Sequence, residues 1–111
     1  MTSTQQESAV KGRTIRFIWT EGPTKGKTHE HVFHQDGTVE WREPGSTGQA
    51  AKERPKYAAV PVTDQVHVVS YLADSGYTLT TVLNFSNKKL VGFASGAKEW
   101  YPVSGTFEVV K

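Results

Sequence analysis

The chain has 111 residues, a formal net charge of +2 from thirteen Lys and Arg against eleven Asp and Glu, and no cysteine. That length supports a single hydrophobic core. The balanced charge, whose longest like-charged run is Lys88-Lys89, gives no footprint for a nucleic-acid partner, and the missing cysteines exclude disulfides, thiolate nucleophiles and Cys-ligated metals.

Residues 1–11, MTSTQQESAVK, are rich in Ser, Thr and Gln and offer little to bury, so a flexible leader is expected there. They lack the basic and apolar regions of a secretory signal. No apolar run approaches the roughly 18 residues of a membrane span. A soluble, cytoplasmic protein with no membrane partner is the expectation.

From Gly12 the pattern changes. RTIRFIWT sets Ile15, Phe17 and Trp19 on one side and Thr14, Arg16 and Thr20 on the other, the signature of a half-buried strand. EGPTKG is a turn by its Gly and Pro. THEHVF and TVEWR flank Asp36-Gly37, a hairpin signal because Gly takes the positive φ of tight turns. After the Pro-, Gly- and Ser-rich EPGSTGQAAKERP come KYAAVPV, a turn at Thr63-Asp64-Gln65, VHVVSYL, a turn at residues 73–76, and YTLTTVLNF. A turn at Ser86-Asn87-Lys88 leads into KLVGFAS. EWYPV, a short Ser104-Gly105 turn and TFEVV finish the chain.

No stretch keeps apolar residues at i, i+3 and i+4 long enough for a helix, and the best helical turn falls near residues 49–54. About eight short strands in series predict an all-β fold, a single-domain eight-stranded antiparallel up-and-down barrel over residues 12–111. Closure removes exposed sheet edges. Eight strands enclose an interior just wide enough for side chains or one small ligand. Gly92 and Gly96 suggest a bulge or sharp bend.

The order GRTIRFIWTEG, DGTVEWREPG, VPVTDQVHVVSY, SGYTLTTVLNF and NKKLVGF resembles the small calycin-like (lipocalin-like) barrels, in particular the MoaF-like family, named for molybdenum cofactor biosynthesis. It has a more distant resemblance to the bacterial phenolic acid decarboxylases, which need no cofactor. The decarboxylase resemblance places a substrate-gripping Tyr pair at Phe17 and Trp19, both without the phenol. It places a carboxylate-binding Arg at Arg42 and a catalytic carboxylate at Asp64, where the family has Glu. It implies an inward Arg42, whereas the apolar pattern of TVEWR puts Val39 and Trp41 inward instead.

Three of the four histidines lie in THEHVFHQDG. HEHVF misses the helical zinc pattern H-E-x-x-H because Phe33 occupies its last position. On a strand His29 and His31 share a face, about 6.5–7 Å apart along the chain. They are expected to line or rim a pocket, with no metal and no cofactor. Phe17, Trp19 and Tyr71 are candidate pocket walls. His67 shares a face with Tyr71 and serves equally well in a core. Trp100 and Tyr101 are candidates for closing one barrel opening. Asp64 is either a catalytic acid/base or a turn residue bonding its own backbone.

Three functions fit this pattern. The first is a binder of a small apolar or aromatic ligand with an anionic group, anchored by Arg42. The second is a cofactor-free lyase, isomerase or hydratase acting on a small carboxylic acid, with Arg42 and Asp64 catalytic. The third is a filled barrel that serves as a structural or interaction protein. A homodimer is compatible with each.

Overall fold

The computed structural model describes residues 9–43, 54–73 and 75–111. Eight strands follow in chain order: β1 (Thr14–Glu21), β2 (Thr28–Phe33), β3 (Val39–Arg42), β4 (Tyr57–Pro61), β5 (Val66–Leu72), β6 (Thr78–Asn84), β7 (Lys89–Ser95) and β8 (Trp100–Val109). They form one sheet in the order β3-β2-β1-β8-β7-β6-β5-β4, every neighbour antiparallel. The pairing of β1 with β8 curls this meander into an all-β, up-and-down barrel. Its seam lies between β3 and β4. Among the described residues they meet at the Thr38–Lys56 bridge and two flanking bonds, Val39 N–H to Pro55 O at 2.9 Å and Tyr57 N–H to Gly37 O at 3.0 Å. The barrel is therefore nearly closed. No helix among the described residues is long and apolar enough to cross a membrane.

The alternation read from β1 holds: Ile15, Phe17 and Trp19 are buried, with Arg16 and Ile18 on the outside. Gly37 has φ 88° and Gly76 has φ 91°, as both hairpin turns require. Asp36 Oδ1 accepts the Thr38 N–H at 3.0 Å and stiffens the first turn. Ser104-Gly105, expected to be a turn, lies inside β8 instead. A Cβ on Gly105 would stand 2.1 Å from the Ile18 carbonyl oxygen, so glycine here permits close strand approach. Gly92 works the same way: its register is unbroken from Thr81 to Val103, yet a Cβ would lie 1.9 Å from Thr80 O. The register shift occurs in β1 instead, between Trp19 and Glu21.

The outer surface is divided. Over β1 to β3 it is charged, centred on Arg16, Glu30 and Arg42. Over β4 to β7 the cross-strand row Val60–Val68–Val82–Val91 carries no charge. Within the expected leader, Val10 is fully buried in the core. The expected helical turn near residues 49–54 falls almost entirely outside the described residues.

Candidate functional site

Because β1 and β2 both alternate and pair with Phe17 opposite His29 and Ile15 opposite His31, the inward histidines fall among the inward aromatics. Phe17 and His31 rings lie 4.2 Å apart, His31 and Phe33 are stacked at 5.8 Å, and His29 meets Trp41 at 4.8 Å. The result is a continuous aromatic wall over β1, β2 and β3. The facing side carries the aliphatic Ala73, Leu79, Ala94 and Val103 together with two tyrosines. Between them an open-ended cavity of about 760 Å³ is lined by Trp19, His29, His31, Trp41 and Tyr71, with Tyr77 and Tyr101 across from them. No Lys, Arg, Asp or Glu lines it among the described residues.

Two polar pairs are set into this apolar surface. The Trp19 indole N–H donates to His29 Nδ1 at 3.0 Å. Indole is a donor only, so His29 Nδ1 is an acceptor and, in the neutral ring, the hydrogen sits on Nε2. Burial chiefly lowers the His29 pKa and keeps the ring neutral. Deeper in, His31 Nε2 and the Tyr71 hydroxyl are 2.9 Å apart. His31 is 2% exposed, and burial pushes its pKa down to about 3, with a smaller contribution from His29. Burial also raises the pKa of Tyr71, so both partners stay neutral at ordinary pH. His31 Nδ1 is buried with no hydrogen-bond partner among the described residues. At the rim the Tyr77 hydroxyl donates to the Glu99 carboxylate, and the Tyr77 and Tyr101 rings stack at 6.4 Å.

The expected site residues separate. Trp19, His29, His31 and Tyr71 converge on the cavity. Phe17 is 1% exposed and lies behind Trp19 and His31 as support. Tyr101 lines the opening, whereas Trp100 points outward and packs on Phe93 at 5.8 Å. His67 sits at the opposite end against Phe85. His34 is on the outer side with Glu40 and Arg54. Thus the histidine run does not converge on one point.

Arg42 is not in the cavity. It points outward, with Nε 3.4 Å from Glu30 Oε1, and Arg16 holds the other Glu30 oxygen at 2.9 Å. Hydrogen bonds from Arg16 chiefly, then Arg42, keep the Glu30 carboxyl below its usual pKa. The physical reason is register: Trp41 pairs with inward His31, so its neighbour must face out. Asp64 is exposed in the β4–β5 turn, at the barrel end away from the cavity. That turn is capped by Thr63, whose Oγ1 accepts the Gln65 and Val66 N–H groups at 3.1 Å each. Asp64 contributes its carbonyl to His67 Nε2 at 3.3 Å. The structure therefore does not bring Arg42 and Asp64 together, nor either one to the cavity.

Trp41 was legible as an inward residue from the apolar pattern of TVEWR, although the resemblance argued for Arg42. Tyr77 was missed: in sequence it reads as the start of the YTLTTVLNF strand, with no role of its own, whereas it stands just before β6 and lines the cavity.

The family model for the MoaF N-terminal domain matches residues 3–99, and the chain belongs to that family. The resemblance to MoaF-like proteins in motif order is borne out. No curated protein matches the chain. Among solved structures, a Burkholderia vietnamiensis protein with a provisional β-lactamase designation matches with a TM-score of 0.72 at 14% identity, over 96% of this chain and 100% of that one. At that identity the likeness shows the shared fold alone.

Proposed function

We propose that this MoaF-family barrel binds a small, neutral, largely apolar molecule containing a flat ring in its open end. The observation that carries this reading is the cavity of about 760 Å³, lined by aromatic side chains and by the aliphatic Ala73, Leu79, Ala94 and Val103. Its volume falls within the range of small-molecule sites, and such sites combine apolar walls with a few placed polar groups. Trp19 and Trp41 supply stacking area, and the small side chains of Ala73 and Ala94 leave the space. A filled structural barrel does not account for that space.

The anionic group expected of the ligand is dropped. Its anchor, Arg42, is engaged with Glu30 on the outer face, and the described lining holds no cation. An anion moved from water into such a site would lose hydration without a charged partner. The lyase reading loses its acid/base pair for the same geometric reason, and no other observation favours it.

Tryptophan fluorescence tests the reading directly, because two of the three tryptophans line the cavity. Titration with 2-ethylnaphthalene is expected to give a saturable, one-to-one change. The matching anion, 2-naphthoate, is expected to bind at least tenfold more weakly. Tighter binding of the anion would overturn the neutral-ligand reading, and a response to neither compound would remove the binding reading itself.

A further inference from the structure

The uncharged half of the outer surface has the form of an interface. Over β5 to β8 the valine row Val68–Val82–Val91 is followed toward the open end by a row through Phe93 and then by one from Leu72 to Trp100. No outward position of these three rows is charged. Leu72, Val91, Phe93 and Trp100 are 60%, 55%, 49% and 65% exposed, so the described chain leaves them uncovered. Charges begin only at the margin, with Lys89 in the next row and Glu21 accepting from Ser104. An apolar field inside a charged rim is the anatomy of a protein contact, and contiguous exposed apolar surface marks an interaction site.

Three observations select a second copy of this chain as the occupant. The first is charge. In a two-fold pair each face meets itself. The β1–β3 half would bring Arg16, Glu30 and Arg42 against their own counterparts, whereas the neutral half has no like charges to oppose. The second is the seam. The Tyr57 N–H points away from β5 to Gly37 O and the Val62 N–H points back to Val66 O, so the odd-numbered positions of β4 face the seam. Pro61 has no N–H, which leaves Ala59 alone among the described residues of β4 to donate to an added strand. An extended peptide is poorly served there, and a partner must bring a preformed surface. The third is area. With strands about 4.8 Å apart and outward residues about 6.8 Å apart along each, four strands and three rows give a flat footprint of roughly 400 Å². Side-chain relief raises the accessible surface buried to roughly 600 Å² per copy, at the lower edge of specific interfaces, which begin near a total of about 1,200 Å².

We propose that the chain forms a reversible two-fold homodimer by packing the outer face of β5 to β8 against the same face of a second copy. The contact centres on Val82, Val91 and Phe93, with Trp100 as the large anchor at its edge. The two sheets stack about 10 Å apart, as in a β-sandwich. The cavity opens at the end of the barrel, so pairing leaves it accessible and does not depend on what it binds.

Sedimentation equilibrium of the full chain, from about 5 to about 500 μM, is expected to show the mass doubling toward the upper end, as suits an interface of modest area. Val91→Lys should weaken association at least tenfold, because each copy then brings an ammonium into the apolar contact. Raising sodium chloride from about 0.05 to about 0.5 M should change the association constant less than threefold, since no charge lies within the contact. Methyl NMR of the wild type needs no variant to fold. Signals of Val68, Val82 and Val91 should shift with protein concentration, while Ile18, on the outer side of β1, should not. A monomer at every concentration would overturn the dimer and give the face to another occupant. A dimer that tolerates Val91→Lys, falls apart steeply with salt, or shifts Ile18 in place of the valines would put the contact elsewhere and overturn it equally.

Discussion

At the barrel end carrying the β4–β5 and β6–β7 turns, Leu83 faces Leu90 across the sheet, Phe107 meets Phe85 at 5.0 Å, and Ile15 and Val10 complete a filled core. At the other end the same inward positions carry Gly105 opposite Trp19 and Ala94 opposite Leu79. Both ends follow one alternation through one sheet. The cavity arises because side-chain volume is withheld on β7 and β8 while the aromatics gather on β1 to β3. Stability and binding should therefore be separable along the barrel axis.

The strongest way to break that comparison is to empty the filled end. Phe107→Ala is expected to lower unfolding free energy by about 3–5 kcal/mol, the usual cost of truncating a buried aromatic, because Phe107 is 3% exposed. Urea denaturation measures the loss. Affinity for 2-ethylnaphthalene in the folded fraction should stay within twofold. A loss below about 1 kcal/mol would mean that the two ends are not differently packed.

Acid probes the cavity end next. The folded pKa of His31 is depressed to about 3 from an ordinary value of 6.5. A depressed folded value means that the unfolded chain takes the proton first. The contribution of His31 is thus fully present above about pH 6.5 and is lost as pH falls toward 3. Between pH 7 and pH 5 the expected loss is about 2 kcal/mol. The lowered pKa of His29 acts with the same sign. His31→Phe should flatten this slope, as measured by denaturation at the two pH values. An unchanged slope would show that His31 is not the buried neutral group described.

Filling the cavity gives a smaller energetic effect with a larger functional meaning. Ala94→Leu places three further carbons on the side facing the aromatic wall. It is expected to weaken 2-ethylnaphthalene binding at least tenfold, about 1.4 kcal/mol, while unfolding free energy changes by less than about 1 kcal/mol. Retained affinity would place the ligand elsewhere.

Much of the frame was legible because it depends on local pattern. Alternation in RTIRFIWT fixed the inward face of β1, and Asp36-Gly37 marked its hairpin. The site was legible only in part. Trp19 and His29 meet because the β1–β2 loop sets Phe17 opposite His29, while His31 and Tyr71 are forty residues apart and meet through curvature of the whole sheet. No local signal encodes that. Ser104-Gly105 misled for a related reason. Glycine there answers the Ile18 carbonyl on a neighbouring strand, and a glycine required by a neighbouring strand reads in sequence like one required by a turn.

The smallest expected effects fall on the two residues that the sequence marked most strongly for chemistry. Arg42 is one of two cations on Glu30, and Arg42→Ala leaves the shorter Arg16 contact at 2.9 Å in place. Its guanidinium is partly solvated, so the pair contributes little, within about 1 kcal/mol. Asp64 is exposed, and the cap of its turn belongs to Thr63. Asp64→Asn should change stability by less than about 0.5 kcal/mol. Neither substitution should alter affinity for 2-ethylnaphthalene by more than twofold, because neither side chain reaches the cavity. A tenfold loss in Arg42→Ala would mean that the outer ion pair governs the pocket through β2, the strand that carries Glu30 on one face and both cavity histidines on the other. That single result would join the charged exterior to the aromatic interior and undo the separation between framework and site.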